Sequence, residues 1–288
     1  MPELPEVETI RRDLAKSVLG KKIREIKILS AKTISPSSKK FLSLLTGQSF
    51  INIDRLGKLL IFSLSDKKHF LLIHLKMTGQ LIYSFRDKLV AGGHSLKAGN
   101  IEGKFPNKST RVYFTFSDWS RLFFNDQRRF GYLKIVADDN LIKIKQKYGI
   151  EPLAANFTLK NFFKITAGRT KNIKALLLDQ SLISGLGNIY VDESLFAAGI
   201  RPSRRANGLT RGEIERLYSA IEALIRKAIK YRGTTFNNYR DAQGKKGNFV
   251  SKLQVYGRDK ERCLKCGNII KKIKIAGRGT HYCPHCQK

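Results

Sequence analysis

Residues Phe50–Leu75 read FINIDRLGKLLIFSLSDKKHFLLIHL and contain three short apolar runs, Phe50–Asp54, Leu59–Leu64 and Phe70–Leu75. Each run has the length of a strand, and turn-forming or charged residues separate one run from the next. Closely spaced short strands of this kind are typical of an antiparallel sandwich or barrel. The stretch therefore predicts a β-rich amino-terminal part of the chain.

The first of these turns contains Gly57 followed by Lys58. Glycine lets the backbone turn sharply, so the turn can present the lysine amine to a ligand. An ordinary hairpin with a solvated lysine fits the same residues, and the turn alone does not distinguish the two.

His74 lies at the end of the third strand and Met77 follows it, and the ordinary interpretations are a structural histidine and a packed methionine. The Gly-, Lys- and Asn-rich segment 85–109 is predicted to be a long surface loop. Arg128 and Phe130 lie on a predicted turn, and a basic residue next to an aromatic one suits insertion into nucleic acid. A packed phenylalanine beside solvated arginines is the alternative.

Upstream, the chain begins Met1-Pro-Glu-Leu-Pro-Glu-Val-Glu-Thr-Ile10. Removal of Met1 would make Pro2 the terminus, and a terminal amine has a pKa of about 7.7–8.0, so part of it is nucleophilic near neutral pH. Such an amine can form a Schiff base with a carbonyl-level carbon, and the adjacent Glu3 can hold or deliver protons. The segment Pro5–Leu19 is predicted to be an amphipathic helix with proline in its first turn.

The composition indicates a polyanionic partner. The 288 residues include 55 Lys and Arg against 23 Asp and Glu, for a formal net charge of +32. There is no run of about 18 apolar residues and no signal-peptide core, so we expect a cytoplasmic protein without a membrane segment. In that compartment the four cysteines are expected to be reduced or metal-bound.

The carboxy-terminal half has a helical character. Capping residues are predicted at Thr158, Thr170 and Thr210, an apolar helical stripe at Ile173–Leu178, and a turn at Asp138–Asn140. Ser184-Gly-Leu-Gly-Asn188 predicts a tight turn that opens onto a further helix. Backbone N–H groups at such a helix start can bind phosphate, and Asn188 adds a side-chain donor. A purely structural helical hairpin is the alternative.

The last segment contains the pairs Cys263/Cys266 and Cys283/Cys286, a spacing that predicts one structural Zn²⁺ bound by four thiolates. His281 and His285 are alternative ligands, although four cysteines are sufficient. The ion would pin a β-hairpin formed by 269–275 and 280–282, with Arg278 at its tip.

Taken together, these residues resemble the formamidopyrimidine-DNA glycosylase family over essentially the whole chain. The resemblance rests on Met1–Thr9, Leu56–Lys58, His74–Gly79, Asn125–Gly131, Gly187–Glu193, Gly233–Thr235, Val255–Arg258 and the cysteine-rich terminus. It implies a base-excision enzyme that excises oxidised purines from duplex DNA and cleaves the strand by β,δ-elimination, with no organic cofactor.

The resemblance also implies roles for individual residues. Pro2 matches the nucleophile that attacks C1′, and Glu3 the acid/base that assists opening of the sugar ring. Lys58 matches the basic residue that is assigned to proton transfer in β-elimination. Arg278 matches the finger arginine that holds phosphates and supports δ-elimination. The matching DNA contacts are His74, Met77, Arg128, Phe130, Arg169 and Asn188, of which Met77, Arg128 and Phe130 fill the void left by the flipped nucleotide. The segment Gly233–Phe249 matches the loop that closes over the oxidised base.

Two positions depart from the family pattern. Lys76 replaces an expected glycine beside Met77, and Ser109 occupies the place of a DNA-contacting histidine. Arg240 and Gln243 lie in the capping loop, whose sequence does not reveal substrate preference.

Two alternatives remain at this point. The sister branch excises oxidised pyrimidines, but Leu4 favours the purine branch, because the sister branch usually begins Pro-Glu-Gly-Pro-Glu. A non-catalytic zinc-ribbon protein that binds nucleic acid would have no need of Pro2, Glu3 and Lys58 together.

The predicted fold is α+β. An antiparallel β-sandwich with a flanking helix (1–137) should be followed by a helix–two-turn–helix DNA-binding domain (138–250) and a zinc finger (251–288). We expect a monomer that binds damaged double-stranded DNA in a basic cleft, in the bacterial cytosol and on the nucleoid.

Overall fold

A computed structural model describes residues 1–86, 88–93, 105–234 and 249–288, with the backbone alone for 88–93. These residues form two compact units, Met1–Gln146 with Tyr231–Val250 and Lys147–Lys230 with Ser251–Lys288. The three-domain division with boundaries near 137 and 250 stays a prediction. None of the helices in the described ranges combines the length and apolar character needed to cross a membrane.

Helix α1 (Leu4–Val18) confirms the predicted amino-terminal helix. Glu3 is its N-cap and forms a capping box with Glu6, which satisfies backbone N–H groups that the first turn leaves without helical partners. One face of the helix is buried in the core of the first unit and consists of Val7, Ile10, Leu14 and Val18.

Two five-stranded sheets make up the body of the first unit. The first has the order β1-β8-β9-β6-β7, with β1 (Ile23–Ile28), β6 (Gly79–Phe85), β7 (Lys88–Gly93), β8 (Thr110–Phe116) and β9 (Arg121–Asp126). The second has the order β2-β10-β5-β4-β3, with β2 (Ile34–Ser35), β3 (Phe50–Leu56), β4 (Leu59–Leu64), β5 (His69–His74) and β10 (Tyr132–Ala137). Neighbouring strands are antiparallel except β2 and β10, which are parallel.

Aromatic side chains join the two sheets. The ring of Phe50 on β3 lies 5.0 Å from that of Phe62 on β4, and 6.1 and 6.2 Å from those of Phe114 and Phe116 on β8. These contacts join fully buried rings in edge-to-face arrangements, which stabilise a core beyond their buried area. Because the contacts with β8 connect the inner faces of separate sheets, the predicted sandwich is confirmed.

Two local predictions in this unit were wrong. Part of the predicted loop 85–109 is strand β7, which pairs with β6 from Phe85 to Gln80, and residues 94–104 of that loop lie outside the described residues. Asp138–Asn140 does not form a simple turn but starts helix α3 (Asp138–Lys145). Two aspartates suit a helix amino terminus because of the helix dipole, and Leu141 anchors the helix by burial.

Helix α2 (Ser38–Leu45) packs on the sandwich, and its buried side chains Phe41 and Leu45 belong to the core of the first unit.

The second unit contains α4 (Leu159–Thr166), α5 (Ile173–Leu178), α6 (Asn188–Ala198) and α7 (Arg211–Lys230). Thr158 caps α4 as predicted, since its hydroxyl accepts a hydrogen bond from the backbone of Asn161. The capping box of Thr210 and Glu213 is also confirmed. The predicted cap Thr170 is wrong, because the side chain of Asn172 caps α5 instead.

A hairpin of β11 (Lys271–Ile275) and β12 (Arg278–Tyr282) completes the second unit. Its turn consists of Ala276 and Gly277, which have φ angles of 49° and 72°. Arg278 is therefore not at the tip, as predicted, but is the first residue of β12, opposite Ile275.

Candidate active site and nucleic-acid interface

The segment Pro2–Glu3 is buried and held directly in front of α1. Only 3% of Glu3 is exposed, its N–H donates to Glu6 Oε2 at 2.8 Å, and its carbonyl accepts the N–H of Val7 at 3.0 Å. Met1, in contrast, is 41% exposed. The helix start therefore fixes the position of Pro2, while the residue before it projects toward solvent.

Glu6 also binds the segment from which the capping loop begins. Its Oε1 accepts hydrogen bonds from the N–H and the hydroxyl of Thr234, at 2.7 and 3.0 Å. Gly233 has a φ of 81°, and a Cβ at this position would lie 2.6 Å from Glu6 Oε1. The positive φ therefore favours glycine here, and an added Cβ would force the Glu6 side chain to shift. Residues 235–248, which include Arg240 and Gln243, lie outside the described residues.

Lys58 follows the positive-φ residue Gly57 in the β3–β4 turn and is only 5% exposed. The alternative of a solvated turn lysine is therefore wrong. The next residue, Leu59, pairs with His74 on β5, so the turn and the end of β5 lie side by side. A buried ammonium group at this position can act on a substrate proton or hold a phosphate.

His74 is neutral in this environment. Burial, reinforced by the positive charges of Lys76 and Lys58, lowers its pKa from 6.5 to about 3. Its Nδ1 accepts a hydrogen bond from the backbone N–H of Lys76 at 3.0 Å, which leaves Nε2 as the protonated donor nitrogen. Lys76 itself has a φ of 48°, a conformation that glycine adopts more readily, and its ammonium lies 5.9 Å from the centre of the Tyr132 ring.

The structure brings together the two loops that carry the predicted void-filling residues. Met77 is half-buried after β5, whereas Phe130 is 54% exposed, so the alternative of a packed Phe130 is wrong. The guanidinium of Arg128 lies 4.9 Å from the Phe130 ring centre, a cation–π distance. An exposed aromatic–arginine pair beside a flexible apolar side chain is suited to enter a base stack.

Asp126, a residue that the sequence analysis missed, organises these two loops. It is fully buried, and its carboxylate accepts hydrogen bonds from the hydroxyl of Thr78 and from the N–H groups of Arg128 and Gly131, the latter at 2.6 Å. Thr78 Oγ1 also lies 3.0 Å from the N–H of Arg128. A buried aspartate shortly before two arginines resembles a surface charge pattern, so its role has no clear signal in the sequence.

Ser109 occupies a buried position next to the same sheet. It is 6% exposed, its N–H donates to Asn107 Oδ1, and its carbonyl accepts the N–H of Asp126 at 2.8 Å. Its backbone therefore supports the Asp126 loop, while its contact with DNA stays a prediction.

In the second unit, Asn188 and the hairpin of Arg278 meet at one carbonyl group. Asn188 is the first residue of α6, and its Nδ2 donates to the carbonyl of Gly279 at 2.8 Å. Arg278, the neighbour of Gly279, is exposed. Arg169 is half-buried and donates to the carbonyls of Ile165 and Lys164, at 2.7 and 3.2 Å, so its guanidinium caps the carboxyl end of α4.

A fully buried ion pair, also missed from the sequence, supports this arrangement. Lys174 Nζ lies 2.6 Å from Asp192 Oδ1, and both side chains have no exposed surface. The same ammonium donates to the carbonyl of Gly279 at 3.2 Å, and Asp192 Oδ2 accepts the N–H of His281 at 2.8 Å. The pair thus connects α5 and α6 to strand β12.

Glu193 ties the segment before the cysteine pairs to α6. Its buried carboxylate accepts the backbone N–H groups of Gln254, Val255 and Tyr256 at 2.8–3.1 Å. Burial raises the pKa of Glu193 in spite of these donors. The motifs 187–193 and 255–258, which are far apart in sequence, are therefore joined by direct hydrogen bonds.

The four cysteines form a site that fits zinc. The sulfur atoms of Cys263, Cys266, Cys283 and Cys286 all lie within 4.8 Å of one another. The pairs Cys263–Cys286 and Cys266–Cys283 are 4.0 and 3.5 Å apart, close to the edge of a tetrahedron with Zn–S bonds of about 2.3 Å. His281 lies near Asp192 and Asp259 and is not part of this cluster, so the four-thiolate interpretation is the one that the geometry supports.

Comparisons with known proteins agree with this architecture. Three family models match the chain: the formamidopyrimidine-DNA glycosylase N-terminal domain at residues 1–133, the H2TH domain of the same enzymes at 148–240, and a zinc finger found in FPG and IleRS at 260–288. Formamidopyrimidine-DNA glycosylase of Pelotomaculum thermopropionicum is 41% identical over 291 residues, covering 100% of this chain and 99% of the relative. That of Desulfitobacterium hafniense is 40% identical over 269 residues, covering 92% of each protein.

Two solved structures of the Lactococcus lactis enzyme are also similar. One is a complex with DNA containing Fapy-dG, with a TM-score of 0.86, 36% identity and coverage of 99% of this chain and 100% of that chain. The other is a complex with DNA containing an abasic site, again with a TM-score of 0.86 and 36% identity, and with 99% of each chain covered.

Proposed function

The chain belongs to the formamidopyrimidine-DNA glycosylase family, and on that premise we propose that Pro2 is the nucleophile with which it excises oxidised purines from duplex DNA. After removal of Met1, the Pro2 nitrogen attacks C1′ of the damaged nucleotide. The bond from C1′ to the base breaks, and its electron pair leaves with the base, which takes up a proton. Opening of the sugar ring then leaves C1′ joined to Pro2 as a Schiff base.

Glu3 and Lys58 are the proposed proton-handling residues. Glu3 delivers a proton to the ring oxygen as the sugar opens, and Lys58 takes part in the proton transfer of β-elimination, in which the 3′ phosphate leaves. Their burial supports this role, because a proton donor in a water-poor site acts on the substrate rather than on solvent. The second, δ-elimination releases the 5′ phosphate, and we assign its support to Arg278.

Duplex DNA hides C1′ and the base, so the nucleotide must be flipped out at a cost of a few kcal/mol. We propose that Met77, Arg128 and Phe130 fill the resulting gap, in agreement with the exposed Arg128–Phe130 pair. His74 donates a hydrogen bond to DNA through Nε2. Arg169 and Asn188 contribute to phosphate binding. The contact of Ser109 with DNA belongs to the same proposal.

The four cysteines hold one zinc ion in a structural role, because four thiolates leave no open position for a substrate. The partner is damaged double-stranded DNA, to which we expect a single copy of the chain to bind. The relatives are bacterial enzymes, which supports a proposed location in the bacterial cytosol, on the chromosome.

The observation that carries the proposal is the fixed, buried segment Pro2–Glu3 in front of α1. An ordinary chain terminus frays, whereas this one is ordered by a capping box, so that removal of Met1 would leave the amine of Pro2 directly before Glu3. Such order at the first residues has a function in covalent catalysis, which requires a nucleophile in a defined position.

Borohydride trapping tests the proposal. With a duplex that contains 8-oxoguanine opposite cytosine, we expect a covalent adduct with the wild-type protein and a lost or sharply reduced adduct in Pro2→Gly, because glycine retains a terminal amine but loses the pyrrolidine ring that makes it a secondary amine in a rigid position. Intact-mass measurement checks that Met1 is absent. Trapping only on an oxidised pyrimidine would assign the chain to the sister branch, and tight binding without any adduct would leave a DNA-binding protein without this chemistry.

A further inference from the structure

One buried carboxylate connects helix α1 to three arginines. Glu8 is 6% exposed, and its oxygens accept two hydrogen bonds from Arg11, at 2.8 and 2.9 Å, and one from Arg12 at 2.6 Å. A third arginine, Arg55, reaches it from β3 at 3.2 Å. Burial alone would raise the pKa of Glu8, but Arg11, Arg12 and Arg55 overcome this effect and hold the pKa at about 2. The carboxylate is therefore charged at any physiological pH.

Two of these arginines extend the connection to the backbone of the β3–β4 hairpin. Arg55 donates from Nη1 to the carbonyl of Gly57 at 2.9 Å, and its side chain is only 10% exposed. Arg11 donates to the carbonyl of Ile53 at 3.2 Å. Helix α1 is thus attached to the hairpin at two carbonyl groups. Arg11 binds that of Ile53 directly, and Glu8 reaches, through Arg55, that of the peptide bond between Gly57 and Lys58.

The two ends of this connection carry different parts of the proposed chemistry. Helix α1 begins two residues after Pro2 and is capped by Glu3, and Glu8 lies five residues after Glu3, about 7.5 Å along the helix axis. The Gly57 carbonyl lies directly before Lys58. Gly57 has a φ of 57°, and the hydrogen bond from Arg55 defines the orientation of the following peptide plane.

We propose that Glu8 and Arg55 are positioning residues that hold Lys58 at a defined distance from Pro2. This inference rests on the proposed function. Neither side chain needs to touch DNA, because both are buried and bonded within the protein. Attack at C1′ depends on Pro2, whereas β-elimination depends on Lys58. A loosened connection should therefore slow strand cleavage more than it slows formation of the Schiff base.

The test compares Arg55→Met with Arg12→Met. Methionine keeps much of the apolar stem of arginine in the first case but removes the hydrogen bonds to Glu8 and Gly57. Arg12 is the matched control, because it binds the same carboxylate and carries the same charge, but its side chain is 56% exposed and its bond to Glu8 lies within α1. Single-turnover assays on the 8-oxoguanine duplex measure the rate of borohydride-trapped adduct and the rate of strand cleavage for each variant.

For Arg55→Met we expect strand cleavage to slow about 10-fold or more while adduct formation stays within about twofold of wild type, because small misplacements of a reacting group are costly. For Arg12→Met we expect both rates within about twofold. The positioning role would be overturned if Arg55→Met left the ratio of the cleavage rate to the adduct-formation rate unchanged, whether both rates slowed equally or neither changed. The absence of any adduct with the wild type would instead contradict the proposed function. Thermal unfolding of both variants identifies a loss of folding. Arg55→Lys retains one donor nitrogen and should recover part of the cleavage rate that Arg55→Met loses.

Discussion

At the scale of single residues, Gly233 shows how closely the start of the capping loop is fitted to helix α1. Its φ of 81° favours glycine, and an added Cβ would lie only 2.6 Å from Glu6 Oε1, so the Glu6 side chain would have to shift. Glu6 in turn binds the backbone of Glu3. A change at Gly233 should therefore reach Glu3, the residue next to the proposed nucleophile Pro2, through a single side chain.

Gly233→Ala should destabilise the protein and also slow adduct formation, because Glu6 must move away from Glu3 or from Thr234. Gly20→Ala is the control, since Gly20 has a φ of 76° and nothing within 4 Å of an added carbon. We expect the control to lose about 1–2 kcal/mol of unfolding free energy from backbone strain alone, and Gly233→Ala at least about 1 kcal/mol more from overpacking. Urea denaturation and borohydride trapping measure the two effects. Equal losses in both variants, with unchanged trapping, would contradict the fitted role of Gly233.

At the scale of elements, the buried pair of Lys174 and Asp192 determines how strand β12 is held against α5 and α6. The ammonium of Lys174 and the amide of Asn188 both bind the Gly279 carbonyl, next to Arg278. The zinc cluster organises the other end of the hairpin. The position of Arg278 within the second unit therefore depends on a helix–strand contact as well as on the metal.

Lys174→Met should destabilise the second unit by about 3–5 kcal/mol, because it leaves the buried Asp192 without its counter-charge. The double variant Lys174→Met/Asp192→Asn should recover much of this loss, since the amide is uncharged and its oxygen can still accept the N–H of His281. Urea denaturation of the zinc-loaded protein provides the comparison. Additive losses in the double variant would show that the two side chains do not act as a pair.

At the scale of the whole molecule, the net charge of +32 is the dominant property for binding. Cations that neutralise phosphates release counterions from DNA, and this release makes affinity depend on salt. The exposed Arg278 is expected to contribute one such contact, and the buried Lys174 none.

The logarithm of the binding constant for the 8-oxoguanine duplex should fall linearly with the logarithm of salt concentration, by about 0.9 for each phosphate neutralised. Arg278→Ala should reduce the slope by about 0.9, whereas Arg278→Lys should keep it. Fluorescence anisotropy titrations between about 50 and 200 mM salt measure these slopes. A flat response of the wild-type protein would contradict phosphate binding by the basic surface.

The sequence by itself determined the features that depend on neighbouring residues. Several features follow from patterns within a few positions: the amino-terminal helix, the caps at Thr158 and Thr210, the sandwich strands of 50–75 and the cysteine pairs. Backbone conformation and metal spacing are local, so local patterns predict them. The errors at Asp138 and Thr170 concern element ends, where several residues compete to cap or start a helix.

Only the tertiary structure decided which partners the buried charged groups bind. Arg55 and Glu8 are 47 residues apart in sequence, Thr78 and Asp126 are 48 apart, and Lys174 and Gly279 are 105 apart. In a chain with 55 Lys and Arg and 23 Asp and Glu residues, the charged members of these pairs, Arg55, Glu8, Asp126 and Lys174, resemble solvated surface charges. Their burial and pairing arise only when strands and helices distant in sequence pack together, because desolvation, which makes an unpaired charge costly, exists only in the folded protein.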